Sequence, residues 1–122
     1  MDELFDDVRA FLAGFPPRSP DEIRAARVRI VTEEAGELAA EVAAGNGLRT
    51  IAEAVDSIYA DLGAVVEAGF SAADFLEVWR EVARANAAKV PPPASDPSAK
   101  ATKPPGWSPP DIEAALARAR RA

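Results

Sequence analysis

Five carboxylates on two neighbouring segments have the residue types and the spacing to bind a hard metal ion. Glu37 lies three residues after Glu34 and four after Glu33, so on a helix the three share a sector of roughly 100°. Glu53 and Asp56 are three residues apart on the next segment. Carboxylate oxygens are the ligands that Mg²⁺ prefers, and a bound Mg²⁺ can activate water. The pattern therefore predicts a site for a divalent cation.

Two observations favour this interpretation over its alternative, which is a solvated acidic helix face. Arg49 is the only base from residue 38 to residue 79, whereas solvated faces usually offset their acids with Lys or Arg four residues away. The face around Glu53 and Asp56 also carries small residues that let another helix approach, namely Ala52, Ala60, Gly63 and Ala64. Enclosed carboxylates about 6 Å apart repel by roughly 3 kcal/mol at an effective dielectric near 20. A divalent cation would relieve that repulsion.

The composition of the 122-residue chain narrows the remaining chemistry. It has no cysteine and no histidine, which excludes disulfides, thiol nucleophiles, conventional zinc sites and proton transfer by histidine. The net charge of -6 is uneven, with -9 over residues 33–81 and +4 beyond residue 81. The sequence has no basic stripe, no cationic amphipathic helix and no long apolar segment. We therefore expect no nucleic-acid partner, no membrane association and a cytoplasmic location.

Helices must position these carboxylates, because the segments between the proline clusters are rich in Ala, Glu and Leu. Helices are predicted at about 2–12, 20–44, 48–68, 72–89 and 111–122. Ser19 provides an N-cap for the second helix and Gly45 ends it, so the second and third helices should form an antiparallel hairpin. The prediction is an all-α bundle of four to five helices in one domain, 1–122. Its Pro-rich loop at 90–110 should be extended or mobile.

The order of these motifs resembles that of the MazG-like all-α nucleoside triphosphate pyrophosphohydrolases. Residues 33–37 (EEAGE) and, 15 residues later, 53–56 (EAVD) are similar to the E-E-x-x-E and E-x-x-D pair of that superfamily. Further along, Asn86 and Lys89 are followed by residues 103–111 (KPPGWSPPD). This arrangement looks like the Asn/Lys segment and the K-P-x-G-[WY]-x-P-x-D element of the members with dUTPase activity.

The resemblance covers roughly residues 20–115 and implies an enzyme. The expected reaction is Mg²⁺-dependent hydrolysis of a nucleoside triphosphate to the monophosphate and pyrophosphate, with Mn²⁺ as a substitute metal and dUTP as the favoured substrate. The alternative substrates are dCTP, a modified nucleotide and phosphoribosyl-ATP, since the metal motif reads only the phosphates. A more distant alternative is a non-catalytic acidic helical dimerisation module. Ala83 departs from the pattern, because many relatives have His at that position.

The resemblance also implies roles for the carboxylates. The expected metal ligands are Glu33, Glu34, Glu37, Glu53 and Asp56. Glu34, one residue off the Glu33–Glu37 row, is the candidate to activate the attacking water, although spacing alone barely separates it from Glu33.

A second group of residues is implied to contact the nucleotide, namely Asn86, Lys89, Lys103 and Trp107. The two ammonium groups are suitable partners for phosphate oxygens. Trp107 would either stack on a base or anchor its loop to the bundle.

Self-association is the last expectation from the sequence. The third helix carries an apolar stripe opposite its carboxylates, formed by Ile51, Val55, Ile58, Leu62, Val65 and Val66. A chain of this size cannot cover both faces of such a helix. We expect a homo-oligomer, with a dimer as first choice and a tetramer as second.

Overall fold

The computed structural model describes residues 1–121, and its regular elements are all helices. They are α1 (Asp2–Ala13), α2 (Pro20–Ala44), α3 (Gly47–Glu67), α4 (Ala72–Ala87) and α5 (Ile112–Arg121). Among the described residues there is no strand beyond an isolated antiparallel bridge between Val90 and Thr102. The predicted all-α fold is confirmed, and α4 ends two residues earlier than expected.

The chain divides into two compact units, Met1–Ser71 and a second beginning at Ala72. The first contains α1, α2 and α3, and the second contains α4, the Pro-rich loop and α5. The single domain inferred from the sequence stays a prediction. None of the helices in the described part of the chain is long and apolar enough to cross a bilayer.

Local signals fix the α2–α3 hairpin. The Ser19 hydroxyl accepts a hydrogen bond from the Glu22 N–H at 3.1 Å, and the Glu22 carboxylate accepts one from the Ser19 N–H at 2.9 Å. These bonds form a capping box and lower the pKa of Glu22. Gly45 ends α2 with a φ of +69°, which glycine adopts without strain, and Asn46 caps α3. Two residues join the helices, so α2 and α3 pack antiparallel.

The first unit is built on the small-residue face of α3 rather than on its apolar stripe. Phe5 and Val8 of α1 are fully buried, and α1 packs against α3. On α3 the buried positions are Glu53, Ser57, Ala60, Leu62 and Gly63. Half of the stripe is exposed, with Ile51, Val55 and Ile58 each retaining more than half of their accessible surface. Small side chains therefore allow α2 to approach α3 closely.

The second unit is organised around Glu81, a buried carboxylate of α4. Its Oε1 accepts hydrogen bonds from Arg84 Nε at 3.0 Å, from Arg84 Nη2 at 2.9 Å and from the Asp111 N–H at 3.0 Å. Arg84 also donates to the Pro109 carbonyl at 3.2 Å. These hydrogen bonds hold Pro109 and Asp111, which precede α5, against α4.

Glu81→Gln is expected to lower the thermal unfolding midpoint near neutral pH. The Arg84 hydrogen bonds, and then the Asp111 N–H, lower the pKa of Glu81 in the folded protein. Ionised Glu81 therefore stabilises the fold above its unfolded pKa, and this contribution is lost as the pH falls through the folded pKa. The difference between wild type and variant should shrink below about pH 4. Asp96→Asn, which removes a carboxylate from the exposed loop, is the control in the same pH series of melting curves. Parallel profiles for the two variants would contradict the role of Glu81.

Candidate active site

Three of the five predicted carboxylates converge between α2 and α3. Glu34 and Glu37 of α2 and Glu53 of α3 each offer one oxygen, and these oxygens lie within 4.8 Å of one another. Glu53 is buried, Glu34 is half-buried and Glu37 is exposed. We call these three residues the carboxylate cluster. Three carboxylate oxygens this close together could bind one divalent cation.

Two oxygens of the carboxylate cluster are buried without a donor. Glu53 Oε1 accepts a hydrogen bond from Arg49 Nη2 at 2.5 Å, but within the described residues neither Glu53 Oε2 nor Glu34 Oε2 has a hydrogen-bond partner. A buried anionic oxygen without a donor is costly, and cation coordination removes that cost. The donor set contains only oxygen, which fits Mg²⁺ or Mn²⁺.

Mutual repulsion is evident at Glu37. The negative charge of Glu34 raises the pKa of Glu37, with smaller contributions from partial burial, from Glu53 and from Asp56. This direction is the one expected when carboxylates share a site. The cluster therefore holds more negative charge than its surroundings neutralise.

The other two predicted ligands are placed differently. Glu33 is exposed and lies outside the carboxylate cluster. Asp56 is exposed too, but with Glu34 it lines a cavity of about 330 Å³ beside the cluster. The structure thus separates Glu34 from Glu33, which spacing alone barely distinguished.

This cavity has an aromatic wall that the sequence analysis did not assign to a site. Phe11 lies 5.2 Å from Phe15 and 5.7 Å from Tyr59, measured between ring centroids, and both contacts are edge-to-face. The Arg18 guanidinium lies 4.7 Å from the Phe15 centroid. Phe11 and Phe15 are four residues apart, which could have indicated a shared face, but their exposure depends on how α1 packs. A half-exposed aromatic wall next to clustered carboxylates can hold a planar ring.

A comparison with protein families decides the class of protein, because residues 5–86 match the phosphoribosyl-ATP pyrophosphohydrolase family. The chain belongs to this family. It is a MazG-like all-α pyrophosphohydrolase, a hydrolase of phosphoric anhydride bonds that acts on a nucleotide. Family membership replaces the alternative of a non-catalytic helical module. The comparison with curated proteins gave no match.

The predicted nucleotide-binding residues of the pyrophosphohydrolase lie in its second unit, at or beyond the end of the family match. The ammonium groups of Lys89 and Lys103 lie 5.7 and 4.9 Å from the centroid of the Trp107 ring. The Trp107 indole N–H donates to the Ala85 carbonyl at 2.7 Å, which attaches the loop to α4. Asn86 is exposed near the end of α4. Both ammonium groups thus lie next to the Trp107 ring.

Proposed function

We propose that this pyrophosphohydrolase is an Mg²⁺-dependent enzyme that converts dUTP and water to dUMP and pyrophosphate. The observation that carries the metal assignment is the pair of buried carboxylate oxygens, on Glu34 and Glu53, that have no hydrogen-bond donor. Burial of unpaired anionic oxygens is costly unless a cation occupies the site. Mn²⁺, which also takes oxygen ligands, is expected to substitute.

Two features support dUTP as the substrate. The cavity beside the carboxylate cluster, at about 330 Å³, is near the lower end of the range of about 300–1,000 Å³ for small-molecule pockets. Such a space suits a pyrimidine better than the base of phosphoribosyl-ATP, which carries a second ribose phosphate. Residues 103–111, which resemble an element of the dUTPase members, lie outside the family match.

In the proposed mechanism the carboxylates bind the metal, and Glu34 also activates the attacking water. Glu34, Glu37 and Glu53 would hold Mg²⁺ with the help of Asp56 and Glu33, and the bound ion supplies positive charge against the phosphate oxygens. Glu34 accepts a proton from the attacking water while the bond between the α- and β-phosphates breaks.

The remaining residues position the substrate. Lys89 and Lys103 are proposed to donate to the phosphate oxygens, and Asn86 to contribute a neutral donor, as the resemblance to the dUTPase members implies. Trp107 holds the loop that carries Lys103 in place through its bond to the Ala85 carbonyl. The aromatic wall holds the base.

Phosphoribosyl-ATP is the second candidate substrate, because the matched family is described by that activity. The two candidates differ at the base end, where phosphoribosyl-ATP carries another sugar and another phosphate. Additional cations would be needed there, whereas among residues 1–121 the cavity is lined by two cationic side chains, Arg18 and Arg27.

A nucleotide panel tests the activity and its metal dependence. The purified protein is incubated with dUTP, dCTP, dTTP, dATP and phosphoribosyl-ATP, with Mg²⁺ or with EDTA, and pyrophosphate and monophosphate are quantified. We expect dUTP to be hydrolysed fastest, EDTA to stop turnover, and added Mg²⁺ or Mn²⁺ to restore it. Turnover that persists in EDTA would contradict the metal assignment. Preference for phosphoribosyl-ATP would contradict the substrate assignment.

We also propose that the protein forms a homodimer, with a tetramer as the second choice. Large apolar side chains are exposed on α2 and on α3, including Val28 and Val42 on the former and Leu48, Ile51, Val55 and Ile58 on the latter. The hairpin is thus apolar at positions that the rest of the first unit leaves exposed. A second copy, which carries the same apolar stripe, can cover this surface symmetrically.

A further inference from the structure

A guanidinium group forms part of the cavity wall beside the carboxylate cluster. The Arg27 side chain extends from α2 and is only 15% exposed. Its Nε donates to Glu67 Oε1 at 2.6 Å, and its Nη1 donates to the Ala60 carbonyl at 3.1 Å. Both acceptors belong to α3. Arg27 is therefore fixed inside the hairpin.

The absence of a side chain at Gly63 makes this arrangement possible. A Cβ placed on Gly63 would lie 2.5 Å from Arg27 Cζ, 2.5 Å from Nη1 and 2.6 Å from Nη2. Three nearly equal distances mean that the guanidinium plane lies face-on over residue 63. Glycine is unfavourable inside a helix, and at this position it gives the guanidinium a flat surface on which to pack.

Arg27 has hydrogen-bonding capacity left for a ligand. A guanidinium carries five N–H donors and no acceptor, and the two contacts to Glu67 and Ala60 use two of them. The cavity that Arg27 lines also contains the rings of Phe11, Phe15 and Tyr59. A planar ring placed against those aromatics would meet a cationic donor that is already oriented.

We propose that Arg27, docked on Gly63, is a specificity-determining residue that selects a base with a carbonyl oxygen over one with an exocyclic amino group. This inference rests on the proposed function, because it takes the cavity as the site of the nucleobase. Uracil presents an acceptor oxygen where cytosine presents an amino donor, as in the pairing edges of thymine and cytosine. An amino group facing Arg27 would leave donors on both sides unpaired. A preference of about 10- to 100-fold for the uracil nucleotide follows.

Gly63→Ala tests the proposal without removing the arginine. The added methyl group must displace the guanidinium, and the flexible end of Arg27 can move while the helices stay in place. Gly47→Ala, on the same helix with nothing within 4 Å of the new Cβ, is the matched control. Arg27→Gln provides a second variant that leaves residue 63 unchanged.

Two measurements separate specificity from turnover. The dissociation constants of dUMP and dCMP are measured without metal, and kcat/KM is measured for dUTP and dCTP with Mg²⁺. Wild type and Gly47→Ala should prefer the uracil nucleotide in both assays by about 10-fold or more. In Gly63→Ala and Arg27→Gln the preference should fall towards unity while the circular-dichroism spectrum is retained.

The outcomes distinguish this inference from the proposed function. A wild type without base preference in the binding assay, or a preference retained in both Arg27→Gln and Gly63→Ala, overturns the role of Arg27 even if dUTP is hydrolysed. Absence of turnover for every nucleotide overturns the proposed function. A base preference in monophosphate binding that depends on Arg27 and Gly63 would still support the specificity role in that case.

Discussion

Glu37→Gln is expected to reduce dUTP turnover by about 100-fold or more while leaving the helical circular-dichroism signal intact. A carboxylate that binds the metal contributes indirectly to the stabilisation of the transition state, which a metal provides by several kcal/mol. Loss of the carboxylate therefore has an effect of this order. The fold should not suffer, because Glu37 is exposed. Its pKa is raised mainly by Glu34, so the neutral side chain also relieves repulsion in the metal-free protein.

Thermal unfolding with increasing Mg²⁺ separates ligand loss from general damage. The wild type should melt at higher temperature as Mg²⁺ is added, because the ion binds the folded state. Metal-free Glu37→Gln should be at least as stable as wild type, yet gain little from Mg²⁺. Glu41→Gln is the matched control, since Glu41 lies one turn further along α2 and outside the carboxylate cluster. Full activity in both Glu37→Gln and Asp56→Asn would remove the metal assignment.

Local sequence signals predicted the helices because those signals act over a few residues. The sequence predicts the Ser19 cap and the termination at Gly45, and the structure has both at these residues. The pairing of α2 with α3 followed from the short connection. The predicted end of α4 is two residues too late, since Ala88 and Lys89 have high helix propensity and the first proline that must stop the helix is Pro91.

The site was less predictable because it depends on how the helices pack. Spacing places Glu33 and Glu34 within one sector, and only the approach of α3 decides that Glu34 is half-buried beside Glu53 whereas Glu33 is exposed. Arg27 and Gly63 are 36 residues apart in sequence, so no local pattern reveals that one packs on the other. Prediction of the exposed aromatic wall likewise requires the position of α1.

The apolar stripe of α3 shows the same limit of prediction from sequence. Amphipathic spacing identifies which face is apolar, but it does not reveal what covers that face. Within the first unit α2 and α1 pack mainly on the small-residue side, which leaves Ile51, Val55 and Ile58 exposed. Leu62, the next residue of the stripe, is buried. The exposed part is therefore the surface on which the proposed dimer depends.

Val55→Asp is expected to convert the proposed dimer to a monomer. Val55 is 57% exposed in the single chain and lies between Ile51 and Ile58 on successive turns. Full burial of such a side chain stabilises by about 1.5–3 kcal/mol, and a twofold interface contains each substituted position twice. Removing most of this contribution, and placing two carboxylates in an apolar interface, should weaken association by more than about 100-fold.

Light scattering coupled to size-exclusion chromatography, over a range of protein concentrations, measures this change. Leu4→Asp, which places the same charge on an exposed apolar position of α1, is the control and should leave the wild-type mass unchanged. A wild type that is monomeric at every concentration would contradict the dimer, and a Val55→Asp variant with the wild-type mass would place the interface elsewhere.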